Sequence, residues 1–307
     1  MILNRSSTVL IGFNPLAGAR DPRKRERVEQ LRIALQVHGI SSEVVSDRAA
    51  LATQAAEQCR QGELRAVVAA GGDGTASDLV NRTEPGTPIA LLPLGTENLL
   101  ARYLRLPRDP AAVAEMIAAG ASLSLDVGRA NGRLFLLMAG CGFDAEVVRR
   151  LHAKRDGHIT QWSYAKHILD SIRTYQYPQF QVTCRLSGRD FEVPIEHSIA
   201  ARWAFVSNVP KYAGGLRFSP DACYDDGRLD VCAFQSGSCW SGLRYLFGIL
   251  TGRHQTMRDC VTAQATQIVL EAAEPVPYQL DGDPGGWLPL TIDVLPRRMT
   301  VIVPQKS

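Results

Sequence analysis

Strand-like apolar runs alternate with helix-length segments over the first third of the chain. The runs that predict strands are Thr8 to Phe13, Glu43 to Ser46, Ala66 to Ala70 and Pro88 to Leu92. Between them, Asp21-Pro22, Asp47 and Asp109-Pro110 are typical helix starts, and Gly39, Gly62 and Gly120 are typical helix ends. Strands that alternate with helices predict a doubly wound α/β domain with a parallel sheet.

The pattern changes after residue 122, where strand-like runs follow one another with turn signals between them. Asn131-Gly132 and Ser187-Gly188 each separate two such runs, which predicts hairpins. Helical spacing returns only in Asp144 to Tyr175 and Cys239 to Leu250. We therefore predict an α/β domain over residues 1–122 and a mostly antiparallel, β-rich domain over 123–307, whose last strand can return to the first domain.

Composition limits which cellular compartment and which partners are expected. A chain of 307 residues fits two domains, and its net charge of +3 is too small to indicate a nucleic-acid partner. The seven cysteines contain no C-x-x-C pair, which favours free thiols in a reducing compartment. With no leader-like segment and no apolar run of membrane-spanning length, a cytoplasmic protein with at most peripheral membrane contact is expected. The oligomeric state stays open, a homodimer included.

Two glycine turns follow predicted strands, as phosphate sites of α/β proteins do. In Gly71-Gly72-Asp73-Gly74-Thr75, glycines allow a ligand close to the backbone, Thr75 is expected to cap the next helix, and Asp73 is the one acidic group. A carboxylate beside a phosphate repels it unless a cation such as Mg²⁺ lies nearby. A second turn, Pro93-Leu94-Gly95-Thr96, ends the next strand, so we expect both turns at one site.

Three later stretches allow both a structural and a functional interpretation. Asp225-Asp226-Gly227 is either an ordinary turn or a cation site, and Asp281-Gly282-Asp283 is either a hairpin turn or a pair of catalytic carboxylates. The segment from Cys239 has five large apolar residues at helical spacing: Trp240, Leu243, Leu246, Phe247 and Leu250. This spacing favours core packing over a lipid-facing helix.

The sequence lacks a Walker-type P-loop and a G-x-S-x-G motif, so neither a P-loop enzyme nor a serine hydrolase is indicated.

Taken in order, these motifs resemble the diacylglycerol kinase catalytic-domain family, the soluble bacterial lipid kinases related to diacylglycerol and sphingosine kinases. The resemblance covers nearly the whole chain and rests on an ordered set of motifs: Asn14-Pro15 with Gly18, Gly71 to Thr75, Pro93 to Thr96 with Asn98, Leu125 to Gly128, the glycines around Phe143, Asp225 to Gly227 and Asp281-Gly282. The glycine–aspartate motif alone is shared with NAD kinases and phosphofructokinases, whose fold the first domain is expected to have.

The resemblance implies an ATP- and Mg²⁺-dependent enzyme that phosphorylates a lipid hydroxyl, such as that of diacylglycerol, at a membrane surface. Nucleotide contacts are implied for nine positions: Ser46, Gly71, Gly72, Asp73, Gly74, Thr75, Ala76, Ser77 and Thr96. Asp226, with the backbone carbonyls of Cys223 and Arg228, is implied to hold Mg²⁺. Asp73 is expected to help place the metal, and Asp283 is implied to be the general base.

Asp283 occupies a position where the family has glutamate, and its side chain is one methylene shorter. A general base must come within about 2.6–3.2 Å of the proton that it takes, so the shorter side chain needs a backbone shift or a bridging water. Two alternatives stay open. One is an NAD kinase, since that class shares the glycine–aspartate motif. The other, motivated by the shorter side chain of Asp283, is a lipid- or nucleotide-binding protein without catalysis.

Overall fold

The structure, a computed structural model, describes residues 8–13, 22–153, 171–187, 195–212 and 215–305. The chain divides into two compact units. Unit 1 comprises residues 1–125 and 297–307, and unit 2 comprises residues 126–296. The sequence had placed the boundary after residue 122.

Unit 1 is an α/β unit around a parallel sheet. Its strands are β1 (Thr8–Gly12), β2 (Ser41–Val45), β3 (Leu64–Gly71) and β4 (Pro88–Pro93), in the order β2-β1-β3-β4. The pairs β1–β2, β1–β3 and β3–β4 are parallel. Val9, Leu10, Val67 and Val68 are fully buried, because this sheet has apolar side chains on both faces.

Within the described residues, the helices that connect or flank these strands are α1 (Pro22–Val37), α2 (Arg48–Gln61), α3 (Asp73–Arg82), α4 (Leu99–Tyr103) and α5 (Pro110–Ala119). Local sequence sets several of their ends. Asp47 and Asp109 accept hydrogen bonds from Ala50 N and Ala112 N, and Gly62 and Gly120 end their helices in the left-handed conformation. The predicted cap Asp21 lies outside the described residues.

Unit 2 is built from antiparallel strands. The strands from β5 to β12 are β5 (Ser122–Ala130), β6 (Arg133–Phe135), β7 (Met138–Gly142), β8 (Phe180–Leu186), β9 (Ile195–Ala201), β10 (Trp203–Ser207), β11 (Lys211–Tyr212) and β12 (Leu216–Arg217). The remaining strands are β13 (Leu229–Phe234), β14 (Cys260–Ala265), β15 (Gln267–Glu271), β16 (Pro277–Leu280), β17 (Asp283–Trp287) and β18 (Leu290–Ile302). Two helices of this part of the chain are α6 (Phe143–Ala153) and α7 (Cys239–Thr251).

One sheet of unit 2 has the strand order β14-β13-β10-β7-β16-β17, and all of its pairs are antiparallel. A second antiparallel set contains β9, β8, β15 and the first part of β18. Buried side chains from both sets form one core that includes Phe135, Val182, Val206 and Ile268. Beyond Arg297 the chain is part of unit 1, where Thr300 and Val301 pair in parallel with Pro88 and Ile89 of β4.

The predicted fold class, a parallel α/β domain followed by a mostly antiparallel domain, is confirmed. The Asn131-Gly132 hairpin is present between β5 and β6, with positive φ at both turn residues. For the second predicted hairpin, β8 pairs with β9, but Gly188 and residues 191–194 of the prediction lie outside the described residues. The two predicted strands after Leu290 are one continuous strand.

Helix α7 corrects another prediction, because its large apolar residues do not all pack into the core. Trp240, Phe247 and Leu250 are 81%, 66% and 61% exposed, while Tyr245 and Ile249 are buried on the opposite side. Leu243 and Leu246 are partly buried against the aromatic core of unit 2. Core packing was therefore the wrong expectation for the three exposed residues. Helix α7 has apolar residues on two faces, and in the described part of the chain only one of these faces packs against the core.

Candidate functional site

The two glycine turns of unit 1 meet backbone to backbone. A Cβ added to Gly95 would lie 2.5 Å from the Cα of Gly72, which is far inside van der Waals contact. Leu94 N donates a hydrogen bond to Gly71 O over 2.9 Å and joins the same two loops. The two turns therefore lie together, as expected, and their joint role as a binding site stays a prediction.

Gly71 is constrained from within its own loop. A Cβ at this position would come 2.1 Å from Oγ1 of Thr75, so the threonine side chain lies directly over the glycine backbone. Thr75 was expected to cap the following helix, but α3 begins earlier, at Asp73, with Gly72 as the cap residue. Gly72 supplies no side-chain hydrogen bond, and its carbonyl already accepts hydrogen bonds from Thr75 N and Ala76 N, so the N–H groups of Asp73 and Gly74 are those that this turn can offer to an anion.

Asp73 holds the second loop in place. Its Oδ2 accepts a hydrogen bond from Leu99 N over 2.9 Å, and its Oδ1 accepts one from Leu100 N over 3.0 Å. The carboxylate thus caps α4, which is preceded by Asn98 in the left-handed conformation at φ 49°. Asn98 in turn closes its own loop through Gly95 N and Gly95 O, over 3.0 and 2.7 Å. The position of Asp73 is therefore accounted for without a metal, and its role toward a metal stays a prediction.

A cavity of about 230 Å³ opens beside the two loops. Of the nine predicted nucleotide-contacting residues, Ser46, Gly71, Gly72 and Thr75 line it. In the described part of the chain, the other five lie outside its lining: Asp73, Gly74, Ala76, Ser77 and Thr96. Of these five, Ala76 and Ser77 are buried within α3. Small-molecule sites usually measure about 300–1,000 Å³, so a cavity of this size accommodates one part of a nucleotide.

Charged residues at the cavity were not identified from the sequence. Lys24, Arg48 and Arg82 line it together with Asp78. Oδ1 of Asp78 lies 3.3 Å from Nη1 of Arg48 and 3.0 Å from Nε of Arg82. The acid therefore neutralises part of a cationic rim that suits a phosphorylated ligand. Lys24 belongs to the basic first turns of α1, and nothing in that run distinguishes a cavity-lining residue from a solvated one.

In unit 2, Asp281 fixes the predicted Asp281-Gly282-Asp283 turn. Its Oδ1 accepts hydrogen bonds from Leu137 N and Met138 N, and its Oδ2 accepts one from Leu136 N, all within 3.1 Å. The residue has φ 52° and Gly282 has φ 90°, so both have the left-handed backbone of a tight turn. Asp281 is thereby occupied in orienting the turn, and the stretch is also the hairpin between β16 and β17.

Asp283, the predicted general base, follows this turn with its side chain 44% exposed. Its Oδ2 lies 3.4 Å from Nη2 of Arg133, and its Oδ1 lies 3.4 Å from Nε2 of His152. The carboxylate therefore has cationic or titratable neighbours on two sides and retains access to solvent. Both neighbours are distant in sequence, and sequence reasoning missed them.

Asp144 is a second carboxyl group, which the sequence pattern placed only at the start of a helical segment. Part of the residue reaches solvent, but its carboxyl group is desolvated, and this burial raises its pKa to about 6 despite a hydrogen bond from Gln279. Gln279 is fully buried, and its Oε1 accepts a hydrogen bond from Gly282 N over 2.7 Å. Asp144 is thus linked through one side chain to the turn that presents Asp283.

The third predicted group, Cys223, Asp226 and Arg228, lies in the turn before β13. Asp226 Oδ1 accepts a hydrogen bond from Arg228 N over 3.0 Å, while the Cys223 thiol donates one to Asp225. Asp126 joins from β5, because its Oδ2 accepts a hydrogen bond from Gly227 N over 2.6 Å. The turn and the cation-site interpretations are thus compatible, since a turn of this kind leaves carbonyl oxygens free.

The electrostatics of this turn fit a cation. Burial raises the pKa of Asp226 and raises that of Asp230 to about 6, and neighbouring carboxylates add to both effects. Within the described residues, the buried Oδ2 of Asp230 has no hydrogen-bond partner. Side chains alone do not complete a site, because no three His, Cys, Asp or Glu residues of the described ranges cluster as metal ligands. A site here would depend on the backbone carbonyls of Cys223 and Arg228.

None of the helices in the described ranges combines the length and the apolar character that crossing a bilayer requires.

Relatives with curated names match nearly the whole chain. A diacylglycerol kinase of Bacillus subtilis (strain 168) is 26% identical over 303 residues, which cover 96% of each protein. A diacylglycerol kinase of Staphylococcus aureus (strain bovine RF122 / ET3-1) is 27% identical and covers 95% of this chain and 91% of its own.

Solved structures of similar fold include two kinases. A diacylglycerol kinase from Bacillus anthracis str. Sterne superposes with a TM-score of 0.66 at 25% identity and covers 97% of each chain. An NAD kinase from Archaeoglobus fulgidus, solved in complex with ATP, has a TM-score of 0.51 at 12% identity and covers 96% of this chain and 92% of its own. The second likeness concerns the fold alone.

Family models cover both units. The diacylglycerol kinase catalytic domain matches residues 8–130, and the YegS C-terminal NAD kinase beta sandwich-like domain matches residues 138–303. The resemblance inferred from the ordered motifs is thereby confirmed, as is the enzyme class, a lipid kinase. The chain belongs to the diacylglycerol kinase catalytic-domain family.

Proposed function

We propose that the protein transfers the γ-phosphoryl group of ATP to the hydroxyl of a lipid such as diacylglycerol at a membrane surface. The observation that carries the proposal is the backbone contact of Gly72 with Gly95 beside the cavity of unit 1. Two loops without side chains at their contact allow a polyphosphate to approach backbone N–H groups closely. The names of the relatives favour diacylglycerol as the first acceptor to test.

On the donor side, unit 1 binds and orients the nucleotide. The first turn of α3 directs N–H groups at the phosphates, and Lys24, Arg48 and Arg82 add positive charge at the cavity. Ser46 and Thr75 line the same cavity and offer hydroxyl groups to the nucleotide. Positioning and charge neutralisation provide most of the rate acceleration in phosphoryl transfer, so these contacts have a direct catalytic effect.

On the acceptor side, Asp283 takes the proton. The lipid hydroxyl oxygen forms a bond to the γ-phosphorus while the bond to the bridging oxygen breaks, and ADP leaves. Arg133 and His152 each lie 3.4 Å from the carboxylate of Asp283 and help to hold it in position, as a general base requires. Its exposure leaves a path to an acceptor hydroxyl, directly or through one water.

Mg²⁺ is proposed as the metal, held by Asp226 with the backbone carbonyls of Cys223 and Arg228. Bound there, it would supply charge that offsets the surrounding carboxylates and orders the turn before β13. The unpartnered oxygen of Asp230 and the raised pKa of Asp226 support this assignment.

The direct test is a panel of lipids incubated with labelled ATP and Mg²⁺, with NAD as a competing acceptor. Phosphatidic acid formed from diacylglycerol by the wild type and lost at least 100-fold in Asp283→Asn would support the proposal. Labelled NADP as the main product would instead favour an NAD kinase. Tight ATP or lipid binding without any transfer would identify a non-catalytic binding protein, an alternative motivated by the short side chain of Asp283.

Asp283→Glu separates the last two cases further. If the aspartate works through a small backbone shift or a water, the longer side chain changes kcat by no more than about tenfold in either direction. If the wild type is inactive and Asp283→Glu gains phosphoryl transfer, the aspartate prevents catalysis and the wild-type protein is a binding protein.

A further inference from the structure

Helix α7 carries an exposed apolar stripe that none of the described residues of its own unit covers. We define the ridge as Trp240, Phe247 and Leu250, which are 81%, 66% and 61% exposed. At 100° per residue these three side chains fall within about 80° of arc, so they form one continuous stripe along the helix. Surface helices ordinarily present polar residues on this side.

The described residues of unit 2 pack the opposite face of α7 into the core. Tyr245 and Ile249 are almost fully buried, and the Tyr245 ring lies 4.3 Å from that of Phe234. Gly242 and Gly248 allow close packing, because a Cβ at either would collide with Tyr177 or Met257. The helix is thus anchored firmly on one side, which fixes the ridge outward.

Charge around the ridge is positive. The sequence of α7 contains no acidic residue, Arg253 follows its end, and Arg258 precedes β14. Within the described ranges, no ion pair involves the exposed Arg253 or Arg258. The nearby Asp259 does not offset them, because it is hydrogen-bonded to Arg244 and Tyr245. Large apolar side chains flanked by arginines complement an anionic lipid surface.

We propose that α7 docks the protein on an anionic bilayer by inserting the ridge into the headgroup region. A tryptophan at the start of the stripe suits this region, where indole rings concentrate. A second copy of the chain is the less suitable occupant. Three side chains expose on the order of 500 Å², whereas a stable protein interface buries about 800 Å² on each partner.

This proposal rests on the proposed function in one respect: docking would give the enzyme access to its lipid acceptor. Binding to vesicles can be measured without any kinase reaction. A ridge that docks while no lipid is phosphorylated would leave this inference standing and remove the proposed function.

The experiment measures co-sedimentation with vesicles of phosphatidylcholine alone or mixed with phosphatidylglycerol. In the triple variant Trp240→Ser, Phe247→Gln, Leu250→Gln, we expect binding to the mixed vesicles to fall at least tenfold. The matched control replaces two equally exposed apolar residues of α1, Ile33 and Val37 (57% and 81% exposed), by Gln and should bind as the wild type does. Thermal unfolding verifies that each variant is folded.

Two further readouts sharpen the test. Arg253→Gln with Arg258→Gln should weaken binding severalfold on the mixed vesicles only, and should reduce its salt dependence. The wild-type tryptophan emission should shift to shorter wavelength on binding, and Trp240→Phe should remove that shift.

Three results would overturn the inference. The first is unchanged vesicle binding in the triple variant. The second is light scattering that shows a wild-type dimer and a monomeric triple variant, which would make a second copy the occupant. The third is loss of activity of the triple variant on a short-chain, water-soluble diacylglycerol, which would place the ridge in the acceptor site. Retained activity on that soluble acceptor, with reduced activity on vesicles, is the result expected for docking.

Discussion

Asp73 Oδ2 accepts a hydrogen bond from Leu99 N over 2.9 Å, so the first glycine loop of unit 1 holds the helix that follows the second. The two residues are 26 positions apart, and the bond links two strand ends of one sheet. The acid in the glycine turn therefore organises the shape of the site, in addition to any role toward a metal.

The first prediction concerns Asp73→Ala. It removes two hydrogen bonds from backbone N–H groups at the start of α4, which should lower the free energy of unfolding by about 1–2 kcal/mol. Because the second loop loses its anchor, kinase activity should fall at least 100-fold. Urea unfolding and a lipid-kinase assay at saturating ATP measure the two effects.

Asp109→Ala is the matched control. Asp109 caps α5 through Ala112 N over 3.1 Å and lies away from the glycine loops in sequence. Its removal should cost a similar free energy of unfolding but leave kcat within about twofold. Equal losses of activity in both variants would mean that stability alone, and not the loop anchor, explains the Asp73 effect.

The second prediction uses the contact of Gly95 with Gly72. Gly95→Ala places a methyl group 2.5 Å from another backbone atom, so the loops must separate, and we expect a loss of about 2 kcal/mol or more together with loss of nucleotide binding. Isothermal titration with a non-hydrolysable ATP analogue follows the binding.

Gly74→Ala separates packing from ligand approach. A Cβ at Gly74 meets no protein atom within 4 Å, and the residue lies in the first turn of α3, so the change should stabilise the fold by up to about 1 kcal/mol. If the turn holds phosphates, the same methyl group lowers ATP affinity. Unchanged affinity in Gly74→Ala would place the phosphates elsewhere.

The fold was predictable because its signals are local. Asp47 and the Asp109-Pro110 pair define helix starts within four residues, and Asn131-Gly132 defines a hairpin within two. The candidate site was less predictable, since its partners are distant: Arg133 and Asp283 are 150 positions apart. The exposure of Trp240 was also beyond the pattern, because helical spacing selects a face without showing what covers it.

The third prediction addresses Arg133 beside Asp283. Arg133→Gln removes a side chain that lies 3.4 Å from the carboxylate of the proposed base and helps to orient it, so kcat should fall severalfold. The pair is nearly half exposed, and its loss should change stability by less than about 1 kcal/mol. A lipid-kinase assay with urea unfolding measures both.

Arg129→Gln provides the comparison, since Arg129 pairs with Asp293 over 3.1 Å at similar exposure. This variant should leave kcat within about twofold. An equal loss of kcat in both variants would reflect overall charge and contradict a specific effect on Asp283.

The fourth prediction follows from the raised pKa of Asp144, about 6 in the folded protein against an ordinary value of 3.8. Between these values the folded state holds a proton that the unfolded state has lost, so stability falls as the pH rises from about 4 to 6 and stays reduced above. Asp144→Asn removes this cost. At pH 7 it should therefore be more stable than the wild type by about 2–3 kcal/mol, and near pH 4 the two should converge.

Asp259 supplies a control of opposite sign. Burial works against its ionisation, but hydrogen bonds from Tyr245 and Ser236 and the charge of Arg244 outweigh burial and hold its pKa below the ordinary value. The stability that ionised Asp259 contributes is present at neutral pH and disappears as the pH falls through the folded pKa. Asp259→Asn should therefore be less stable than the wild type at pH 7, and the two free energies of unfolding should converge in acid. Urea unfolding at pH 4, 5, 6 and 7 tests both. A constant gap between Asp144→Asn and the wild type across this range would show that Asp144 ionises normally and that its desolvation is offset in the folded protein.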